Sequence, residues 1–124
     1  MRINLLKGDM WQVEWDHGFD MILLFSVLHQ YDIETNVKLL QKAKQALKPG
    51  GQVAVLDQIT GKIPGKATNA LIQLIALQYF VFADGRIFSR EEITEMCHQA
   101  GFTGIQFHNL PSLPGNTLLT ATPA

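Results

Sequence analysis

Apolar and polar positions alternate between two periods along the chain. Their order predicts strand, strand, helix, strand, helix, helix, strand, strand. The run from Ile3 to Leu6 is short and apolar and ends at Lys7-Gly8-Asp9, the pattern of a buried strand and a following turn. Phe19–Phe25 (Phe-Asp-Met-Ile-Leu-Leu-Phe) is almost continuously apolar, as expected of a parallel strand covered on both faces. Asp32 is placed to cap a helix in which Ile33, Val37, Leu40 and Leu47 keep helical spacing. Lys48-Pro49-Gly50-Gly51 stops that helix, because proline cannot continue it and glycine permits positive φ. Gln52 to Ile59 reads as the next buried strand. Strand, helix and strand in this order make a right-handed parallel crossover.

The stretch from Ala67 to Phe82 reads as a helix that is apolar nearly all round, so it must be covered on several sides. The next helix carries its own punctuation. Ser89 and Glu92 have capping-box spacing, and Ile93, Met96, Cys97 and Ala100 form its buried face. Gly101 ends it, with Phe102 placed to fold back on the last turn. Gly104 to His108 alternates with Ile105 and Phe107 inward, and Thr117 to Thr122 follows a turn of Pro-Ser-Leu-Pro-Gly-Asn. These two segments are expected to pair antiparallel. The predicted fold is an α/β sheet with an antiparallel hairpin at its C-terminal end.

Composition narrows the function classes. The 124 residues fit one domain, and 47% hydrophobic against 17% charged residues argues for a packed fold rather than disorder. Net charge is −1 with scattered Lys and Arg, so no basic stripe for nucleic acid is present. Cys97 is the single cysteine, which excludes an internal disulfide and fits a reduced, cytoplasmic setting. The apolar stretch from Ala70 to Ala83 is broken by Gln73 and Gln78 and falls below the ~20 residues that a membrane span needs. His17, His98 and His108 are scattered and read as surface or edge residues. No metal site is expected, since Cys97-His98 lack ligand spacing and His29 with Asp57 make no ligand set.

Five segments in order carry a resemblance. They are Gly8-Asp9-Met10, Phe19 through His29, Leu47 through Asp57, Phe88-Ser89-Arg90-Glu91-Glu92, and Ala100-Gly101-Phe102. Together they resemble the class I S-adenosylmethionine-dependent methyltransferases. The likeness is closest to the small-molecule O-methyltransferases that carry a winged-helix dimerisation domain. That resemblance implies a Rossmann-like sheet with strand order 3-2-1-4-5-7-6, the seventh strand antiparallel. The chain then holds strands 3 to 7 of that sheet as one partial domain over residues 1–124. The glycines present include no Gly-x-Gly-x-Gly, so the turn that lets backbone approach the cofactor is absent from these residues.

The resemblance also implies roles. Asp9 would accept from the adenine amino group of S-adenosylmethionine, with Met10 or Trp11 against the ring. A turn aspartate bonding its own backbone is the other reading of Asp9. Phe25 and Ser26 end a strand, where open α/β sheets bind ligands, and would line the methionine part; strand-end packing is the alternative. His29 would take the proton of the acceptor hydroxyl, a task suited to an imidazole with a pKa near neutrality, or it only packs or caps in its loop. Asp57, at the end of the following strand, would orient it. Trp11, Trp15, Tyr79, Phe80 and Phe82 either shape an aromatic acceptor pocket or belong to core and interface.

Two functions follow. One is methyl transfer to a hydroxyl of a small aromatic molecule, with the chain alone expected to be inactive and to bind cofactor weakly. The other is a non-catalytic half-domain that self-associates or binds a partner. In the order 3-2-1-4-5-7-6, the Phe19–Phe25 strand loses its outer neighbour and becomes an open apolar edge. A homodimer through that edge, the helix from Ala67 to Phe82, or both is expected. Shifting Ile3 to Leu6 beside Phe19–Phe25 is the alternative way to heal the edge.

Overall fold

Asp32 opens the first helix, α1 (Ile33–Ala46), by accepting the Thr35 N–H at 2.8 Å, which satisfies one of the amides a helix start leaves bare. In the computed structural model the described residues are 3–60, 70, 74, 87–113 and 116–124. Helix α1 lies between strands β1 (Phe19–Phe25) and β2 (Leu47–Thr60), which pair in parallel, so the expected crossover is present. Leu47 belongs to β2 rather than to the helix. It pairs with Phe19, and Met21 already pairs with Gln52, so Lys48 to Gly51 bulges out while β1 advances two residues. That bulge accommodates Pro49, which cannot donate to a ladder. Gly51 is required there, because a Cβ would lie 2.9 Å from the Phe19 carbonyl oxygen and 3.1 Å from that of Asp20.

The second described helix, α2 (Arg90–Gln99), has the full capping box. Glu92 N–H donates to Ser89 Oγ at 3.1 Å, and Ser89 N–H donates to Glu92 Oε1 at 3.1 Å. Gly101, at φ +91°, turns the chain out of it, and Phe102 is buried as the first residue of β4 (Phe102–Asn109). β4 and β5 (Asn116–Pro123) pair antiparallel, and β5 pairs antiparallel with β2. The sheet order is therefore β1-β2-β5-β4. A two-residue strand that the sequence did not predict, β3 (Phe88–Ser89), pairs in parallel with the end of β2. Within the order 3-2-1-4-5-7-6, the path β1-β2-β5-β4 matches the run 4-5-7-6.

Two expectations are corrected. Ile3 to Leu6 is irregular chain outside the sheet, and Leu5 is 94% exposed. A four-residue strand needs a neighbouring ladder and an apolar cover, and no described strand lies beside it. It therefore pairs neither in a third-strand position nor beside β1. The second correction concerns β1, which among the described residues is covered on one face only. α1 and α2 join Leu24, Val53, Val55, Leu119 and Ala121 in a single core, so both helices lie on the same side of the sheet. On the opposite face Phe19, Met21, Leu23 and Phe25 are 42–56% exposed. The expected helix from Ala67 to Phe82 lies almost wholly outside the described residues; of it, Ala70 and Leu74 are helical.

Cys97 sits at the centre of this core with no exposed surface, and burial pushes its thiol up from 9.0 to about 12. The unfolded chain releases that proton at lower pH than the folded one. Stability from this group is thus complete below pH ~9 and is lost as pH rises toward ~12. Urea unfolding at pH 7.5 and 10 should show the lower midpoint at pH 10, and Cys97→Ala should flatten that part of the difference. An unchanged slope in the alanine variant would contradict the burial of the thiol.

Candidate active site

β1 ends beside the C-terminal part of β2, which runs on to Thr60. The last paired residues are Phe25 and Leu56, and the Ser26 N–H extends the ladder by donating to the Leu56 carbonyl at 2.8 Å. Ser26 then takes φ +57°, a left-handed conformation uncommon for a residue with a Cβ, and the chain leaves the sheet at once. Leu28 is fully buried and anchors the 3₁₀ turn Leu28–Gln30, while the Gln30 side-chain amide donates back to the Ser26 carbonyl at 3.1 Å. This turn carries His29 to a point above Asp57.

His29 and Asp57 are in direct contact. His29 Nδ1 lies 3.0 Å from Asp57 Oδ1, and the His29 backbone N–H donates to Asp57 Oδ2 at 3.3 Å. The Gln58 N–H donates to Asp57 Oδ1 at 2.9 Å, so both carboxylate oxygens are engaged. Asp57 is buried on the core-facing side of β2, which fixes its direction. A carboxylate only accepts, so this contact selects the tautomer with its proton on Nδ1 and the lone pair on Nε2. The arrangement can hold a neutral imidazole in one orientation and steady its charged form.

The Asp9 segment is held separately. Asp9 Oδ1 accepts the Trp11 N–H at 2.9 Å, and its carbonyl accepts from Gln12 and Val13 at 3.0 and 2.9 Å. The self-bonded turn is thus the local geometry of Asp9, whose carboxylate remains at the surface. Lys42 of α1 clamps the segment by donating to the carbonyls of Met10 (2.6 Å) and Val13 (2.9 Å), with its ammonium 5.1 Å from the Trp15 ring centre. Trp11 meets Tyr31 edge-on at 5.7 Å, which brings this turn beside the one that carries His29. Phe25 and Ser26 are exposed at the strand end. Among the described residues no three His, Cys, Asp or Glu side chains gather as a metal site, and no helix is long and apolar enough to cross a membrane.

Sequence reasoning missed Lys42 and Asn36. Asn36 is fully buried on the core face of α1, where its Nδ2 donates to the carbonyls of Leu28 (2.9 Å) and Tyr31 (3.3 Å). Its Oδ1 is buried without a partner, which costs about 1–3 kcal/mol. The signal was available: Asn36 falls three residues after Ile33 and four before Leu40, inside the apolar stripe.

A parallel pair and a following antiparallel hairpin, with helices packed on the sheet, define an α/β domain. The chain matches the O-methyltransferase domain family over residues 1–103 and belongs to that family. It is 27% identical over 124 residues to O-methyltransferase ZRP4 of Zea mays, covering 98% of this chain and 33% of that protein. It is 34% identical over 108 residues to Myricetin 3'/5'-O-methyltransferase 1 of Solanum habrochaites, covering 84% and 29%. The structure of human N-acetylserotonin methyltransferase in complex with SAM superposes with a TM-score of 0.81 at 21% identity, over 96% of this chain and 33% of that one. That likeness concerns the fold. The chain spans about a third of the length of the relatives it matches.

Proposed function

We propose that this domain serves S-adenosylmethionine-dependent methyl transfer to a hydroxyl of a small aromatic molecule. The observation that carries the reading is the His29–Asp57 contact at 3.0 Å on the rim where β1 ends beside β2. His29 Nε2 accepts the proton of the acceptor hydroxyl. Asp57 keeps Nδ1 protonated, aims the ring and stabilises the imidazolium that forms. The cofactor, when bound, supplies a methyl group activated by its sulfonium. Four residues fit its rim. Asp9 offers a surface carboxylate to an amino group, Met10 an apolar side chain, and Phe25 with Ser26 an exposed apolar and hydroxyl pair at the strand end. Membership of the O-methyltransferase family supports the reaction class, and the SAM complex of the human relative supports the cofactor.

In an enzyme containing this domain, His29→Ala should lower turnover about 10²-fold or more while cofactor affinity changes little. Asp57→Asn should cost less, since it loosens the ring without removing the base. Unchanged turnover of His29→Ala with a phenolic acceptor would reduce His29 to packing. A separate titration concerns the 124 residues themselves, which carry no Gly-x-Gly-x-Gly. They should bind S-adenosylmethionine more weakly than micromolar, and micromolar or tighter calorimetric affinity would overturn that.

A second reading is a non-catalytic module that self-associates. It is favoured by the open face of β1 and by a groove of about 740 Å³ whose lining includes Leu5, Leu6, Trp15, Phe19 and Met21. β1 is the outermost strand of the described sheet, so its backbone edge is open as well. At about 25 cal/mol per Å², a few hundred Å² of apolar surface offers several kcal/mol for association. The expected assembly is a homodimer through β1. Light scattering of the chain at micromolar concentration should give twice the monomer mass, and a stable, soluble monomer would contradict this reading.

A further inference from the structure

We propose that Asn36 is a positioning residue for His29, acting through the backbone on both sides of it; this rests on reading His29 as the base. The two protons of one carboxamide reach the carbonyls of Leu28 and Tyr31, which bracket His29 and Gln30 in the chain. Both neighbours are acceptors, so only the orientation with NH₂ toward the turn makes these bonds. Within the turn, Gln30 N–H donates to the Val27 carbonyl at 3.1 Å, Tyr31 N–H to that of Leu28 at 3.2 Å, and the Gln30 side chain to that of Ser26 at 3.1 Å; the His29 N–H reaches out to Asp57. Asn36 adds the tie from the turn to α1, whose own frame is fixed by the Asp32 cap and by Leu39, Leu40 and Ala43 in the core.

The chemistry of the position argues against a packing role. Asn36 stands fully buried on the helix face that also carries Leu39, Leu40 and Ala43, and its Oδ1 has no partner there. A leucine would fill that place without burying an unpaired acceptor. What asparagine adds is a forked donor with a fixed spacing. Asp57 fixes the imidazole from below through Nδ1 and the His29 amide, while Asn36 fixes the turn from the helix side. Two independent attachments leave the ring one orientation, as a base on a rim needs.

The test uses the whole 124-residue chain, labelled with ¹⁵N, and reads the His29 ring by NMR. The unmodified chain should show a single tautomer protonated at Nδ1, with a downfield Nδ1–H resonance. Asn36→Leu and Asn36→Asp should both lose that resonance and move toward mixed tautomers, while circular dichroism and the shielding of Cys97 from thiol reagents stay as in the unmodified chain. Neither variant can make both bonds, since leucine has no donor and a carboxyl group has at most one. A folded Asn36→Leu that retains the Nδ1–H resonance and tautomer overturns the proposal. Where a variant does not fold, the unmodified chain decides. The Asn36 side-chain protons should exchange with water far more slowly than those of exposed Asn109, and equal exchange overturns the proposal. The ring readout needs no turnover. If His29→Ala leaves an enzyme active, the base assignment fails while the Asn36 effect on the ring still stands.

Discussion

The parallel pairing of β1 with β2 is the constraint on which the rest depends. Leu24 opposite Val55 and Phe25 opposite Leu56 set which residue of β2 stands beside the point where β1 leaves the sheet. Parallel pairing is the reason that two distant segments, His29 and Asp57, arrive at the same end. A one-residue slip would turn Asp57 to the opposite face of the sheet and separate the pair. The register is protected at both ends. At the start, Gly51 admits carbonyls of β1 that any side chain would repel. At the end, the Ser26 N–H closes on the Leu56 carbonyl before the chain turns away.

Much of this was legible in the sequence because the determinants are local. Capping by Asp32 and the Ser89–Glu92 box depend on residues a few positions apart, and both helices begin where those residues stand. The apolar run Phe19–Phe25 gave a strand with the right bounds, and alternation in the C-terminal segments gave the hairpin. Strand order followed only through resemblance to a family, since periodicity says which residues share a face but not which strands are neighbours.

The misses have a common cause. A short apolar run such as Ile3 to Leu6 has no intrinsic preference strong enough to make a strand without a ladder. The open face of β1 was hidden for the same reason: an apolar run tells how much a strand needs cover, not whether the described chain provides it. The partners of Asn36 and Lys42 are backbone carbonyls on other segments, which leave no residue-type pattern; only the place of Asn36 inside the apolar stripe marked it as buried. Of the site, His29 and Asp57 were legible as candidates. Their meeting was an inference from two neighbouring parallel strands, and the geometry supplies the distance.

A β1–β2 ladder that delivers His29 to Asp57 is already present within these 124 residues. Amide hydrogen exchange of the chain in solution tests this most directly. The Ser26 amide, bonded to the Leu56 carbonyl at the end of the ladder, should be protected to the same order as the amides of Ile22 and Leu24, which face β2 earlier in the same ladder. Ser26 exchanging as fast as the exposed turn residue Ser112, with Ile22 and Leu24 still protected, would mean that the ladder ends early and that the rim is not formed.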